Sequence, residues 1–236
     1  MKIALLGYGK MGRRIAEMAT SQGHEVVAVI NSQQTSIDFI NADVAIDFST
    51  PEVAPELIKV ALLAGLPVVS GTTGWLEKYS EIANLCNSKN GSFLYASNFS
   101  IGVNVFFKLN AYLAQMMGQF KQYDIEVTET HHTEKKDAPS GTALSLVKDV
   151  LSTTKYSDWT LDSGQSSKDT LLIRSKREGS VPGTHEVAYI SSLDTICIKH
   201  EAHNRDGFVQ GALLAAEWIL GKKGVFSMQD VLGNPK

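Results

Sequence analysis

Cysteine is nearly missing from this sequence: Cys86 and Cys197 are the only two in 236 residues, and they lie far apart. A fold stapled by several disulfides is therefore excluded, and both thiols are expected to pack as small hydrophobes in a reducing compartment. Long apolar runs are missing as well. No stretch reaches the roughly 18–20 residues that cross a bilayer, and no charged-then-apolar leader opens the chain, so a cytoplasmic protein without membrane contact is expected. Excess positive charge is the third absence. Lys and Arg number 22 against 25 Asp and Glu, a net charge of -3, which gives no electrostatic case for nucleic-acid binding. Internal repeats and low-complexity segments are not detected. What remains is an ordinary globular composition, 43% apolar and 20% charged, in a chain long enough for one large domain or two small ones.

The first hundred residues alternate strand-like and helix-like patterns. Residues 2–6 (KIALL) form a short apolar run of the kind found in buried parallel strands. Gly7-Tyr8-Gly9-Lys10-Met11-Gly12 follows at once, and residues 13–21 have helical spacing. In a nucleotide-binding turn Gly7 permits the tight bend, Gly9 lets a pyrophosphate approach the backbone, and Gly12 allows close packing of helix on strand. A GxGxxG also occurs in turns that merely connect a strand to a helix; its position between the two at the head of the chain favours dinucleotide binding. Further strands are expected at 25–30, 43–48, 66–70 and 92–96. Helices are expected at 51–64, capped by Ser49-Thr50, and at 75–87. Repeated βα units imply an α/β fold with a Rossmann-like, doubly wound parallel sheet, whose ligands lie beyond the carboxyl ends of its strands. The polar segments 7–12, 70–74 and 96–100 occupy those ends.

Beyond residue 100 the rhythm changes. A long apolar helix is expected over 103–120, a strand over 123–130 and a helix over 140–151. Residues 155–168 are polar and resemble a solvated loop. Strands then follow at 171–176, 185–191 and 195–200 without intervening helices, an α+β pattern that marks a second domain. A helix over 208–220 ends at Gly221, a C-cap residue by type.

Running from the end of the expected strand 123–130 into the expected helix 140–151 is the segment Thr130-His131-His132-Thr133-Glu134-Lys135-Lys136-Asp137-Ala138-Pro139-Ser140-Gly141-Thr142. It places two imidazoles and two ammonium groups just ahead of a helix start, where the amides of Ser140, Gly141 and Thr142 can face an anion. Proton donors, cationic charge and an anion cradle in one segment suit a small polycarboxylate. A His-His pair also begins many metal sites, and Glu129 and Glu134 stand nearby. Lys135 and Lys136 would repel a cation, so no metal is expected.

These residues closely resemble the 4-hydroxy-tetrahydrodipicolinate reductase (dihydrodipicolinate reductase) family over essentially the whole chain. The motifs, in order, are Gly7-Tyr8-Gly9-Lys10-Met11-Gly12-Arg13, Asp47-Phe48-Ser49, Gly71-Thr72-Thr73-Gly74, Ser97-Asn98-Phe99-Ser100-Ile101-Gly102-Val103-Asn104 and Glu129-Thr130-His131-His132 through Asp137-Ala138-Pro139-Ser140-Gly141-Thr142-Ala143. The resemblance implies a dinucleotide-binding domain over 1–104, completed by C-terminal helices within 206–236, and a substrate-binding and oligomerisation domain over 105–205. It implies a homotetramer that uses NADPH or NADH to reduce a cyclic dicarboxylate in lysine and diaminopimelate biosynthesis. His131 and Lys135 match the family's acid/base pair, and His132, Ser140, Gly141 and Thr142 match the positions that hold the substrate carboxylates. Cofactor contacts fall on Gly7, Tyr8, Gly9, Lys10, Met11, Gly12, Asn31, Gly71, Thr72, Thr73, Ala96, Ser97, Asn98 and Phe99. Lys136 departs from the apolar residue expected at its position and is assigned to solvent.

Several points stay open in the sequence. Asn31 ends the second strand where an acid would favour NAD and a base NADP; Lys10 and Arg13 tilt the expectation towards NADPH or dual use. His185 lines the substrate cavity or supports the sheet. Arg205 is read as a surface cation, His24 as a surface turn residue, and Trp75, Trp159 and Trp218 as packing residues. Another two-domain nicotinamide-dependent dehydrogenase is the nearest alternative, although neither cysteine sits in a loop suited to aldehyde oxidation. A non-catalytic NAD(P)-sensing protein is the other, and it would have no use for an acid/base pair beside an anion site.

Overall fold

Alternate residues of the first strand point to opposite faces, and both faces are covered. In the computed structural model, which describes residues 1–30, 39, 41–161 and 169–233, β1 (Lys2–Leu6) sends Ile3 and Leu5 into one apolar cluster and Ala4 and Leu6 into another. The first cluster is closed by α1 (Lys10–Ser21) through Ile15 and Ala19, and by α6 (Asp206–Ile219) through Val209, Leu213 and Ala216. The second is closed by α2 (Ala54–Leu63) through Leu57 and Ile58, and by α3 (Tyr79–Ser88) through Ile82 and Cys86. Burial on both faces is what a continuous apolar run, rather than an alternating one, prescribes. Asn31 and residues 162–168 lie outside the described residues.

The remaining strands of this sheet are β2 (Glu25–Ile30), β3 (Val44–Asp47), β4 (Val68–Ser70), β5 (Ser92–Tyr95) and β11 (Gly224–Phe226). All pair in parallel, in the order β11-β5-β4-β3-β1-β2. The chain steps from β1 outward to β2, then returns to build β3, β4 and β5 on the other side. The order therefore reverses between β1 and β3, and the turn at Gly7 and the segment after Asp47 emerge side by side there. Strand β11 was not expected, since three residues of strand carry too little pattern to register; helix α7 (Met228–Leu232) follows α6 within the 206–236 stretch expected to hold helices. Helix α2 starts later than its expected cap. The Ser49 hydroxyl is taken by Asp47 at 2.5 Å, and Val53 serves as N-cap without a side-chain bond. The expected 75–87 helix begins as a 3-10 turn (Leu76–Lys78) before α3.

The chain divides into two units, Met1–Ile101 with Asp206–Lys236, and Gly102–Arg205. The second unit holds a mixed sheet in the order β10-β9-β6-β8-β7, made of β6 (Asp124–His131), β7 (Asp158–Leu161), β8 (Thr170–Arg177), β9 (Gly183–Ile190) and β10 (Thr195–Ala202). Strands β9 and β10 run antiparallel to their neighbours, whereas β6, β8 and β7 are parallel. Helices α4 (Ile101–Met117) and α5 (Gly141–Thr153) cover one face through Phe106, Ala114, Leu146 and Val150. Part of the expected polar loop is strand β7, whose Trp159 and Leu161 pack at the edge of this core. Strand β6 also runs one residue further than expected. His131 ends the strand and does not belong to the loop, because its carbonyl accepts the Glu178 amide at 2.8 Å and its Cα pairs with Arg177. His24 is not a surface turn residue either: its side chain is 12% exposed and sits 3.3 Å from Glu217 of α6.

Candidate active site

The Gly7 turn and the loops after β3 and β4 enclose the first candidate region. Gly7 has φ +94, and a Cβ there would lie 2.6 Å from the Phe48 carbonyl oxygen, so only glycine fits. A Cβ on Gly12 would overlap the Gly7 carbonyl, which is the close helix–strand approach the motif predicts. Gly9 is different. It is the N-cap of α1, has no side-chain cap, and a Cβ on it would meet nothing within 4 Å. That leaves bare first-turn amides at a helix N-terminus facing open space, the arrangement that accepts a phosphate.

A cavity of about 340 Å³ lies beside this turn, lined by Gly9, Lys10, Met11, Gly71, Thr72 and Thr73 with Phe48 and Ser49. A second, of about 170 Å³, is lined by Gly7, Tyr8 and Gly9. Asp47 fixes the walls: one carboxylate oxygen accepts the Ser49 amide and hydroxyl, and the other accepts the Ser70 hydroxyl at 2.7 Å. Thr72 Oγ1 accepts the Ser49 amide at 2.9 Å, which ties the two loops directly. Burial pushes the Asp47 carboxyl up, and the hydroxyls of Ser49, Ser70 and Thr72 pull against that rise. Ala96, Ser97, Asn98 and Phe99 leave the carboxyl end of β5; the Ala96 amide donates to Ser70, and Asn98 accepts the Ser100 amide. Phe99 is 1% exposed and packed in the core at 5.8 Å from Phe48, so its side chain is not available to a ligand.

The second region belongs to the other unit and is built by strand register. On β6 every second residue is buried: Ile125, Val127, Glu129 and His131 share one face. Antiparallel pairing with β9 sets His185 opposite Glu129, and parallel pairing with β8 sets Ser175 opposite Glu129 and Arg177 opposite His131. Five polar groups from three strands thus meet on a face that begins as hydrophobic core. His131 and His185 stack edge to face at 5.1 Å. Glu129 is fully buried. Its carboxylate accepts the Ser140 amide at 3.1 Å, the Ser175 hydroxyl at 2.8 Å and Arg177 Nη2 at 3.3 Å, and lies 3.3 Å from His131 Nδ1. Burial alone would push this carboxyl up; His131, Ser140 and Ser175 outweigh that and hold it well below its usual range. His185 moves the other way. Burial first, then the neighbouring His131, push it down to about 4, so it is neutral at physiological pH.

Arg177 also organises the segment after His131. Its Nε donates to the Lys135 carbonyl at 3.2 Å and its Nη2 to the Asp137 carbonyl at 2.6 Å. Lys135 is half-buried and its ammonium bridges both oxygens of Asp137 at 2.8 and 2.7 Å; Lys136 is exposed. The lysine pulls the Asp137 carboxyl down. Ser140 caps α5, accepting the Ala143 amide at 3.1 Å, and its hydroxyl lies 3.2 Å from His185 Nε2. Its own amide is turned to Glu129, so the helix end offers the amides of Gly141 and Thr142, and a Cβ on Gly141 would meet open space. His132 faces another cavity, of about 290 Å³, with Thr133, Glu134, Gly179, Ser180 and Arg205.

Glu129, His131 and His185 each offer one ligand atom within 4.8 Å of the others. The carboxylate already has donors from Ser140, Ser175 and Arg177, and a cation there would face the Arg177 guanidinium, so the donor set is better suited to hydrogen bonding than to a metal. Sequence reasoning found His131, Lys135 and Ser140 but not Glu129, Ser175 or Arg177 as parts of the site. Glu129 alone left a signal, its place in the period-2 series 125, 127, 129, 131.

A glycine turn at the switch point of a doubly wound sheet, joined to a unit with a His/Lys/anion-cradle cluster, defines a two-domain nicotinamide-dependent oxidoreductase. Models of the N-terminus and the C-terminus of dihydrodipicolinate reductase match residues 1–99 and 102–232. This chain belongs to the dihydrodipicolinate reductase family. It is 45% identical over 237 residues to a 4-hydroxy-tetrahydrodipicolinate reductase of Christiangramia forsetii, covering 99% of this chain and 98% of that one. A reductase of the same name from Lawsonia intracellularis is 35% identical, with 95% and 96% covered. The fold matches a dipicolinate-bound dihydrodipicolinate reductase from Paenisporosarcina sp. TG-14 with a TM-score of 0.78, at 21% identity and 98% coverage of both chains.

Proposed function

We propose that this chain reduces 4-hydroxy-tetrahydrodipicolinate to tetrahydrodipicolinate in the cytoplasm, within diaminopimelate and lysine biosynthesis. The observation that carries the assignment is the convergence of His131, Lys135 and the Ser140–Thr142 helix end around one segment. A nicotinamide cofactor in the Gly7–Gly12 turn would supply hydride. The chain's own residues then have two tasks. One is to hold a dianionic ring: the amides of Gly141 and Thr142, the Ser140 and Thr142 hydroxyls and His132 suit its carboxylates. The other is to supply a proton as negative charge builds on the reduced ring, the role of His131 and Lys135. Lys135 is paired with Asp137, so a substrate competes with that carboxylate for the ammonium.

Lys10 and Arg13 stand near the phosphate turn, which favours NADPH or dual use of NADPH and NADH. A homotetramer is supported by the second unit's exposed apolar groups: Leu109, Tyr112 and Met116 along α4, and Leu193, which is 88% exposed. The test is oxidation of NADPH, and separately NADH, at 340 nm, with substrate made in situ by condensing pyruvate and aspartate semialdehyde with a synthase. Synthase-dependent loss of absorbance is expected, faster with NADPH. No oxidation from folded protein that binds nucleotide contradicts the assignment, and a monomeric mass by light scattering would remove the tetramer.

A further inference from the structure

We infer that Glu129 is a positioning residue for this reaction, its single buried carboxylate setting both the tautomer of His131 and the seat of Lys135. The inference rests on the function proposed above and goes beyond it, since that function gives Glu129 no role of its own.

Three contacts carry it. First, an ionised carboxylate only accepts hydrogen bonds, and Glu129 is held ionised by its partners. His131 Nδ1 lies 3.3 Å from Oε2, within ion-pair reach but outside hydrogen-bond geometry; a lone pair there would face the negative oxygen, so the hydrogen is favoured on Nδ1 in the neutral ring. Nε2 is left as the atom that exchanges a proton. It lies toward Gly183 of β9, where an added Cβ would stand 3.1 Å away; the glycine keeps that side of the ring clear. Second, Oε1 binds Arg177 Nη2, and the same guanidinium grips the carbonyls of Lys135 and Asp137. The backbone that presents Lys135 is thus fixed through Glu129. Third, both oxygens take the Ser140 amide, at 3.1 and 3.2 Å, which sets the start of α5 and with it the cradle amides. One residue spans all three parts of the site because register places it between β8 and β9. Ser175 Oγ on β8 and the neutral His185 on β9, 3.8 Å away, complete the shell around it.

The test uses the full-length enzyme. Nitrogen-15 histidine spectra of the wild type at about pH 8, above the ordinary imidazole range, should show His131 as the Nδ1–H tautomer. Glu129→Gln keeps the shape but replaces an acceptor with a donor. It should lower kcat by about 100-fold, the scale of an orienting contact, while KM for the cyclic substrate changes much less. Glu129→Asp should recover part of the rate. In a His131→Ala background, Glu129→Gln should cost less than in the wild type, since the ring it orients is gone and only the seating of Lys135 and of the α5 start remains to be lost. An Nε2–H tautomer in the wild type, or an equal loss in both backgrounds, would overturn the inference. If Glu129→Gln does not fold, the wild-type tautomer and the Asp variant still decide it. Full turnover in His131→Ala would instead overturn the site assignment, a separate failure because the tautomer is read without turnover.

Discussion

At the residue scale the polar cluster should show itself in acid. His185 is a buried imidazole whose folded state refuses a proton that the unfolded chain takes up near 6.5, its value falling to about 4. Stability from this group is present above the unfolded value and is lost as pH falls through 6.5 towards 4. Glu129 has the same sign in a lower window: its carboxyl is depressed from 4.5, so its contribution holds above that value and is lost at still lower pH. Between pH 7 and 5 the His185 share is about 2 kcal/mol. The melting temperature of the wild type should therefore fall over that interval, and His185→Gln should flatten the fall without removing the further loss below about pH 4.5. A slope unchanged by the substitution would show that His185 is not the group titrating. His131, Lys135 and His132 were legible in the sequence because they are contiguous and carry their chemistry in their type. Glu129, Ser175 and Arg177 were not assigned to the cluster, and His185 was left open between the cavity and the sheet, since Ser175 lies 46 positions from Glu129 and only strand register unites them.

At the element scale the N-terminus of α5 joins stability to binding. Ser140 is its cap, its hydroxyl holding the Ala143 amide and lying against His185. Replacing Ser140 with Ala should cost about 1 kcal/mol of stability, measured by chemical denaturation, and should raise KM for the cyclic substrate while leaving nucleotide affinity unchanged. A rise in nucleotide dissociation constant of similar size would contradict the placement of this helix end at the substrate. Element boundaries were legible where periodicity is long, as in α4, α5 and β9. They failed where a side chain had a stronger partner than the backbone, as at Ser49, or where a strand is short and polar, as in β7. There the four residues Asp158–Leu161 are made a strand by pairing with β8.

At the scale of the whole molecule, the first unit is assembled from two distant segments. Helix α6 lies close against the backbone at Phe99, which a Cβ at Gly211 would strike, and β11 adds to the sheet edge beside β5. The doubly wound plan was legible because each βα unit is local. The contribution of β11 was not, because its partner lies about 130 residues away in sequence and its own pattern is three residues long. Division of labour follows from this construction: the glycine turn and the Asp47-tied loops sit in one unit, and the Glu129 cluster with Lys135 sits in the other. Among the described residues no helix is long and apolar enough to cross a membrane.

Turnover and nucleotide affinity measured side by side for Lys135→Ala test that division most directly. A fall in kcat of roughly a hundred-fold or more is expected, with the NADPH dissociation constant, followed by fluorescence, unchanged. Wild-type turnover, or loss of nucleotide binding along with the rate, would contradict the assignment of proton chemistry to the second unit.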